Sequence, residues 1–289
     1  MSGTPDAYER VTAWFARQSR PLPWREAGTS AWGVLVSEVM SQQTPVSRVA
    51  GPWREWMERW PTPADLAAAS TADVLRAWGT LGYPRRALRL QQAARAVEQR
   101  HGNEVPSDEA ALLDLPGIGG YTAAAVRAFA FGRRSLVLDT NVRRVLARYV
   151  GAAAYPPPSQ TAGERERAWA LVPEDDTEAA LWSVSVMELG ALVCTARSPR
   201  CEECPLAADC AWLEAGWPAW EGAERVGQSW HGTDRQCRGR VMAALRGAVE
   251  PVGLSDIAWP DRVQLERCVH ALVEDGLARQ TGRGITLPA

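Results

Sequence analysis

The sequence predicts an all-α protein with a small mixed tail, and three observations carry that reading. Apolar residues recur at helical spacing through the first 215 residues, few strand signals precede residue 240, and Pro, Gly, Ser and Thr punctuate the chain where helices should start or stop. At 289 residues the chain can build two domains and a large core.

Taken in order, Asp6 to Arg17 reads as an amphipathic helix that the prolines of Arg20-Pro21-Leu22-Pro23-Trp24-Arg25 bring to an end. Trp32 to Met40 is almost wholly apolar except for Ser37 and Glu38. Periodicity favours Glu38 at the solvent edge of this helix. The other reading holds it half-buried, where desolvation raises its pKa and suits it to general-acid work. Pro45 breaks the polar stretch that follows. From Val49 to His101 helices alternate with the breaks PTPADL, STADV and GYPRR, with Thr62 and Ser70 or Thr71 as candidate N-caps.

Leu115-Pro116-Gly117-Ile118-Gly119-Gly120 is a tight turn between a short helix, Ser107 to Leu113, and an apolar one, Tyr121 to Phe131. Its glycines remove the Cβ atoms that would keep a nucleic-acid backbone away, and free N–H groups at a helix N-terminus favour a phosphate. A plainer reading also fits: a helical hairpin whose glycines let two helices pack. Asp139 follows the apolar Leu136-Val137-Leu138. Either it is an N-cap itself, or Thr140-Asn141 caps the helix opened by Val142-Arg143-Arg144.

Tyr155-Pro156-Pro157-Pro158 is a break, and Ala168 to Cys194 holds a long helix with Glu188 near its end. Four of six cysteines, Cys194, Cys201, Cys204 and Cys210, follow within seventeen residues at C-x6-C-x2-C-x5-C spacing. For an intracellular chain this favours a metal centre over disulfides, with iron-sulfur ahead of zinc. Beyond Cys210, residues 215–236 read as a Gly- and Trp-rich linker. Arg238 to Leu245 and Val263 to Leu277 read as helices, and GRGITLP as a hairpin remnant. This small domain, 237–289, is winged-helix-like in its element order and equally readable as a helical cap.

Net charge is −2, which argues against indiscriminate nucleic-acid binding. Between Leu81 and Val150, however, eleven Arg stand against six acids, and this excess predicts a cationic face beside the glycine turn. Every one of the 32 basic side chains is Arg. Without lysine, Schiff-base chemistry on a side-chain amine is excluded. No basic start precedes an apolar segment, and no stretch approaches the roughly 20 apolar residues that span a bilayer. We expect a soluble, cytoplasmic, nucleoid-associated protein with no membrane partner.

LPGIGGYTA followed by VLDTNVRRV resembles the helix-hairpin-helix and catalytic Asp of the endonuclease III superfamily of DNA glycosylases. SEVMSQQTPV, with LPWR before it and WGTLGYPRRALRL after it, resembles the MutY-type adenine glycosylases, which remove adenine mispaired with 8-oxoguanine. The resemblance covers about residues 10 to 212. It implies a two-lobed helix-hairpin-helix core over 1–214: a six-helix barrel over 26–139, and a lobe of 1–25 with 140–214 holding a [4Fe-4S] cluster on the four cysteines. It also implies Glu38 as the acid, Asp139 as the ionised carboxylate that stabilises the sugar cation, and Asn141 orienting it. Tyr121 stands where the lyase branch has Lys, which implies a monofunctional enzyme. Thymine-mismatch glycosylases share that Tyr.

By the same resemblance Leu22, Trp24, Arg25 and Glu188 line the adenine pocket, Gln43 and Tyr83 wedge the duplex, and Gly117, Gly119 and Gly120 hold phosphate. The implied partner is duplex DNA with adenine opposite 8-oxoguanine or guanine, met by a monomer. Two departures stand out: Ser41 replaces a common Leu, and the tail is too short and too helical for the Nudix-like domain that many of these enzymes carry.

Overall fold

The computed structural model describes residues 4–220 and 230–289. Part of the expected linker, 221–229, lies outside them. Fourteen α-helices are described: α1 (Thr4–Gln18), α2 (Ala31–Ser41), α3 (Ala50–Arg59), α4 (Pro63–Ala68), α5 (Thr71–Trp78), α6 (Arg85–His101), α7 (Glu109–Leu113), α8 (Gly120–Phe131), α9 (Thr140–Tyr149), α10 (Ala162–Trp169), α11 (Asp176–Leu192), α12 (Ala211–Glu214), α13 (Asp234–Gly247) and α14 (Arg262–Glu274). The described strands are β1 (Arg279–Thr281) and β2 (Gly284–Thr286).

The chain forms two compact units. One comprises 1–34, 107–113 and 118–223; the other comprises 35–106, 114–117 and 224–289. These borders differ from the expected domains: α8 groups with the cysteine segment, and the C-terminal module groups with α3 to α6.

In the first unit α1, α9 and α11 pack around Val11, Trp14, Leu146, Trp182, Val186 and Leu189. α8 adds a small-residue seam of Ala124, Ala125 and Ala128 against Val137.

In the second unit the core is aromatic. Trp56 meets Trp60 at 4.9 Å and Trp78 at 5.5 Å between ring centroids, both edge-on. Thr62 and Ser70 do cap α4 and α5: Thr62 forms a reciprocal box with Asp65, and Ser70 accepts from the Asp73 N–H at 3.1 Å.

In the C-terminal module two helices precede a hairpin. α13 begins at Asp234 and not at Arg238, because Thr233 caps it. A turn over Leu254–Asp256 follows, then α14 and the hairpin pairing Arg279 with Thr286, and Val252 adds a third strand position against Ile285. A Cβ on Gly284 would lie 2.4 Å from the Val252 carbonyl oxygen, so only glycine permits that bridge.

Candidate active site and cysteine centre

Asp139 is the N-cap of α9, so the plainer reading of this residue is also the observed one. One carboxylate oxygen accepts from the Val142 N–H at 2.6 Å, the other from Asn141 Nδ2 at 2.8 Å. Burial pushes this carboxyl up, against those two donors, which favour the anion. Asn141 is itself fixed: its Oδ1 accepts from Arg144 Nη2 at 2.9 Å, and Arg144 also donates to the carbonyls of Gly190 (2.6 Å) and Cys194 (2.8 Å). A Cβ on Gly190 would lie 2.8 Å from Asn141 Cβ, so glycine is what lets α11 approach this turn.

Glu188 is fully buried on α11. Arg20 donates to it from its backbone N–H (3.0 Å), Nε (2.7 Å) and Nη2 (2.7 Å), and Arg25 Nη2 donates at 2.9 Å. Burial alone would push this carboxyl up, but the two guanidinium groups win and hold it at about 2. Arg25 Nη1 is buried without an acceptor. Leu22 is buried and Trp24 half-buried in the same turn. Arg20 was missed in the sequence, where it marks only a helix end; its place two residues before Leu22 is the one signal available.

Tyr121 is half-buried on the first turn of α8 and packs on the Ala124 seam. Gly119 caps α8 with no side-chain bond, and a Cβ at Gly119 or Gly120 would meet open space. Gly117 serves differently. Its φ of +80° demands glycine, and a Cβ there would lie 2.7 Å from Arg89 Cβ.

In the second unit Glu38 is only 8% exposed. The solvent-edge position that periodicity favours is therefore overturned, because α2 is covered along almost its whole length. Gln43 and Tyr83 both hold positive φ, 53° and 48°, in the left-handed region that side chains rarely adopt. Ser41 ends α2, half-buried.

The buried residue between the two loops is Arg86. Its Nη1 donates to the carbonyls of Val39 (2.8 Å), Met40 (3.0 Å) and Gln42 (2.5 Å), and its Nη2 to Thr44 Oγ1 (2.9 Å) and the Gly82 carbonyl (3.1 Å). Its guanidinium also lies 5.1 Å from the Trp78 ring and 5.5 Å from Tyr83.

Much of the arginine excess expected to make a cationic face is taken up within the fold. Arg86, Arg144 and Arg148 are buried, and Arg85, Arg100, Arg127, Arg133 and Arg143 pair with Asp275, Asp114, Glu109, Asp176 and Glu164. The count stopped at residue 150, and three of those five acids lie beyond it.

The four cysteines line one recess, closed in part by Arg148, Val193 and Trp212. A recess ringed by thiols suits a polynuclear cluster, and these residues fit [4Fe-4S]. Burial pushes Cys204 up to about 12 and Cys201 upward, so bound iron is what would hold them as thiolates. Arg148 Nη1 donates to Cys194 Sγ at 3.3 Å and to the Thr195 carbonyl at 2.7 Å, tying this loop to α9.

Residues 36–171 match the HhH-GPD superfamily of base excision DNA repair proteins, and residues 194–210 match the iron-sulfur binding domain of endonuclease III. An adenine DNA glycosylase of Mycobacterium tuberculosis is 50% identical over 277 residues, 95% of this chain and 90% of that protein. The human adenine DNA glycosylase is 38% identical over 210 residues, 69% of this chain and 38% of its own. Among solved structures, a thermostable thymine-DNA glycosylase superposes with a TM-score of 0.66 at 26% identity, covering 73% of this chain and 98% of that one.

Proposed function

The chain belongs to the adenine DNA glycosylases, base excision repair hydrolases of the N-glycosyl bond, and from that premise we propose that it excises adenine paired with 8-oxoguanine or guanine. The observation that carries the mechanism is the Asp139 turn, where a buried carboxylate, pushed up by burial, accepts from Asn141 and the Val142 N–H, the two donors that favour its anion.

In this reading the duplex is opened by Gln43 and Tyr83, and the adenine turns out of the stack at a cost lowered by its mispair. Leu22 and Trp24 pack the base. Arg25 Nη1, buried without a protein acceptor, donates to a ring nitrogen, held in place by Glu188. Glu38 delivers a proton to adenine N7, and the C1′–N9 bond breaks with its electron pair leaving on the base. Asp139 stabilises the positive charge that grows on the sugar. A water then adds to C1′ and returns its proton to Glu38.

Tyr121 packs where a lyase would carry Lys. With no lysine in the chain, the abasic strand stays intact after excision. Gly119 and Gly120 leave backbone N–H groups open to phosphate, and Gly117 sets the turn that presents them. Cys194, Cys201, Cys204 and Cys210 would hold a [4Fe-4S] cluster, a structural group that would tie their loop together. No described helix is long and apolar enough to cross a membrane. In this reading the chain works on nucleoid DNA as a monomer.

Single-turnover assays on duplexes with A opposite 8-oxoguanine, A opposite G, and T opposite G, each followed by alkali, test the reading. We expect alkali-dependent strand breaks at adenine, faster opposite 8-oxoguanine. Breaks at T alone, or breaks without alkali, would overturn it.

A further inference from the structure

The turn carrying Tyr83 is fixed from two directions. On one side Arg86 binds its carbonyls, as described. On the other stands the C-terminal module. Arg235, on the first turn of α13, sets its guanidinium 4.9 Å from the centre of the Tyr83 ring and 5.6 Å from Trp230. Asp275, the C-cap of α14 with a side chain only 8% exposed, pairs with both Arg85 and Arg238. In the segment Tyr83-Pro84-Arg85-Arg86, then, two side chains are held by chain beyond residue 230. Tyr83 itself is 41% exposed and sits at φ +48°, a conformation that persists only where the surroundings over-determine it.

We infer that the C-terminal module is a positioning device for the Tyr83 turn, with Arg235 holding the aromatic ring in the pose that meets the base pair. This rests on the reading above in which Tyr83 enters the duplex. An exposed ring free to rotate loses that freedom when it inserts, whereas a ring already held by a stacked guanidinium loses little. The flat cation suits the task because it stacks on a ring face while its edge N–H groups stay available. Arg235 is a positioning residue in this scheme, acting through Tyr83.

The rival role for a winged helix, reading a groove with its second long helix, is poorly served here. The exposed positions of α14 mix Arg262 and Arg267 with Glu266 and Glu274, and Arg267 is already paired with Asp234. α14 itself therefore presents no uniformly cationic face to phosphate.

The test uses the full chain with its cluster, as Arg235→Gln, Arg235→Lys and Asp275→Asn. Three quantities are read: melting temperature, single-turnover excision at saturating enzyme opposite 8-oxoguanine, and the fluorescence of an aminopurine placed beside the mispair, which brightens when stacking is broken. Arg235→Gln should melt as the parent does, yet excise about fivefold more slowly and brighten the probe less. Arg235→Lys, which keeps a cation over the ring, should recover most of both. Asp275→Asn should shift both signals the same way.

Parent-like excision and fluorescence in Arg235→Gln would overturn the inference, and so would a Lys variant no better than Gln. If the parent itself left adenine opposite 8-oxoguanine uncut, the mispair reading would fail, while the fluorescence arm would still report on the ring.

Discussion

Glu188 and Arg86 are both buried charges, and the protein accommodates them in opposite ways. Glu188 meets two guanidinium groups, an electrostatic neutralisation that holds its carboxyl at about 2. Arg86 meets no carboxylate among the described residues. Its charge is solvated by backbone carbonyls and one hydroxyl, and burial pulls its guanidinium down only to about 10, still charged at neutral pH. The first arrangement fixes side chains, Arg20 and Arg25, around one point. The second fixes the backbone of two loops. A carboxylate partner would have satisfied Arg86 equally well but would have left those carbonyls without donors and the loops without a shape.

The contrast breaks most visibly if Arg86 is removed. Arg86→Leu strips donors from several buried acceptors at once and should cost about 4 kcal/mol, read as a lower urea midpoint at unchanged slope. A loss under about 0.5 kcal/mol would mean the carbonyls find other donors.

Next comes acid. The Glu188 carboxyl sits below its ordinary value in the folded protein, so the unfolded chain takes up the proton first. Its stabilisation is complete above pH of about 4.5 and is lost as pH falls toward about 2, a change of about 3 kcal/mol. Urea unfolding across this window should give Glu188→Gln a flatter curve than the parent, whereas Arg86→Leu should keep the parent's acid limb. Equal slopes in Glu188→Gln and the parent would dissolve the contrast.

The smallest effect sharpens what the carbonyl cage is for. Gln43→Gly relieves a left-handed φ and should raise stability by up to about 1 kcal/mol while slowing adenine excision. If stability is unchanged or falls, the loop is not under strain.

Most of the fold was legible because helices announce themselves locally: Thr62 and Ser70 sit at their caps, and the cysteine spacing marks its own loop. Glu38 was not legible from periodicity, since an almost continuously apolar helix has no polar face against which to place one carboxylate. Nor was Arg86. Among eleven arginines in seventy residues nothing local separates Arg86 as one that turns inward, because its acceptors lie at residues 39 to 44 and 82. The same non-locality defeated the charge count, as Asp176 and Asp275 are distant in sequence from the arginines they neutralise.

Asp139 has a practical consequence for anyone who needs this enzyme silent but intact. In the mechanism proposed above, one carboxylate both serves the chemistry and starts α9, so the choice of replacement decides what is lost. Alanine would remove the cap along with the charge and confound an inactive protein with a frayed one. Asparagine keeps an oxygen for the Val142 N–H and caps a helix about as well as aspartate does. It is the replacement for preparing a stalled complex on an uncut duplex, with the recognition surface preserved for study in isolation from cleavage.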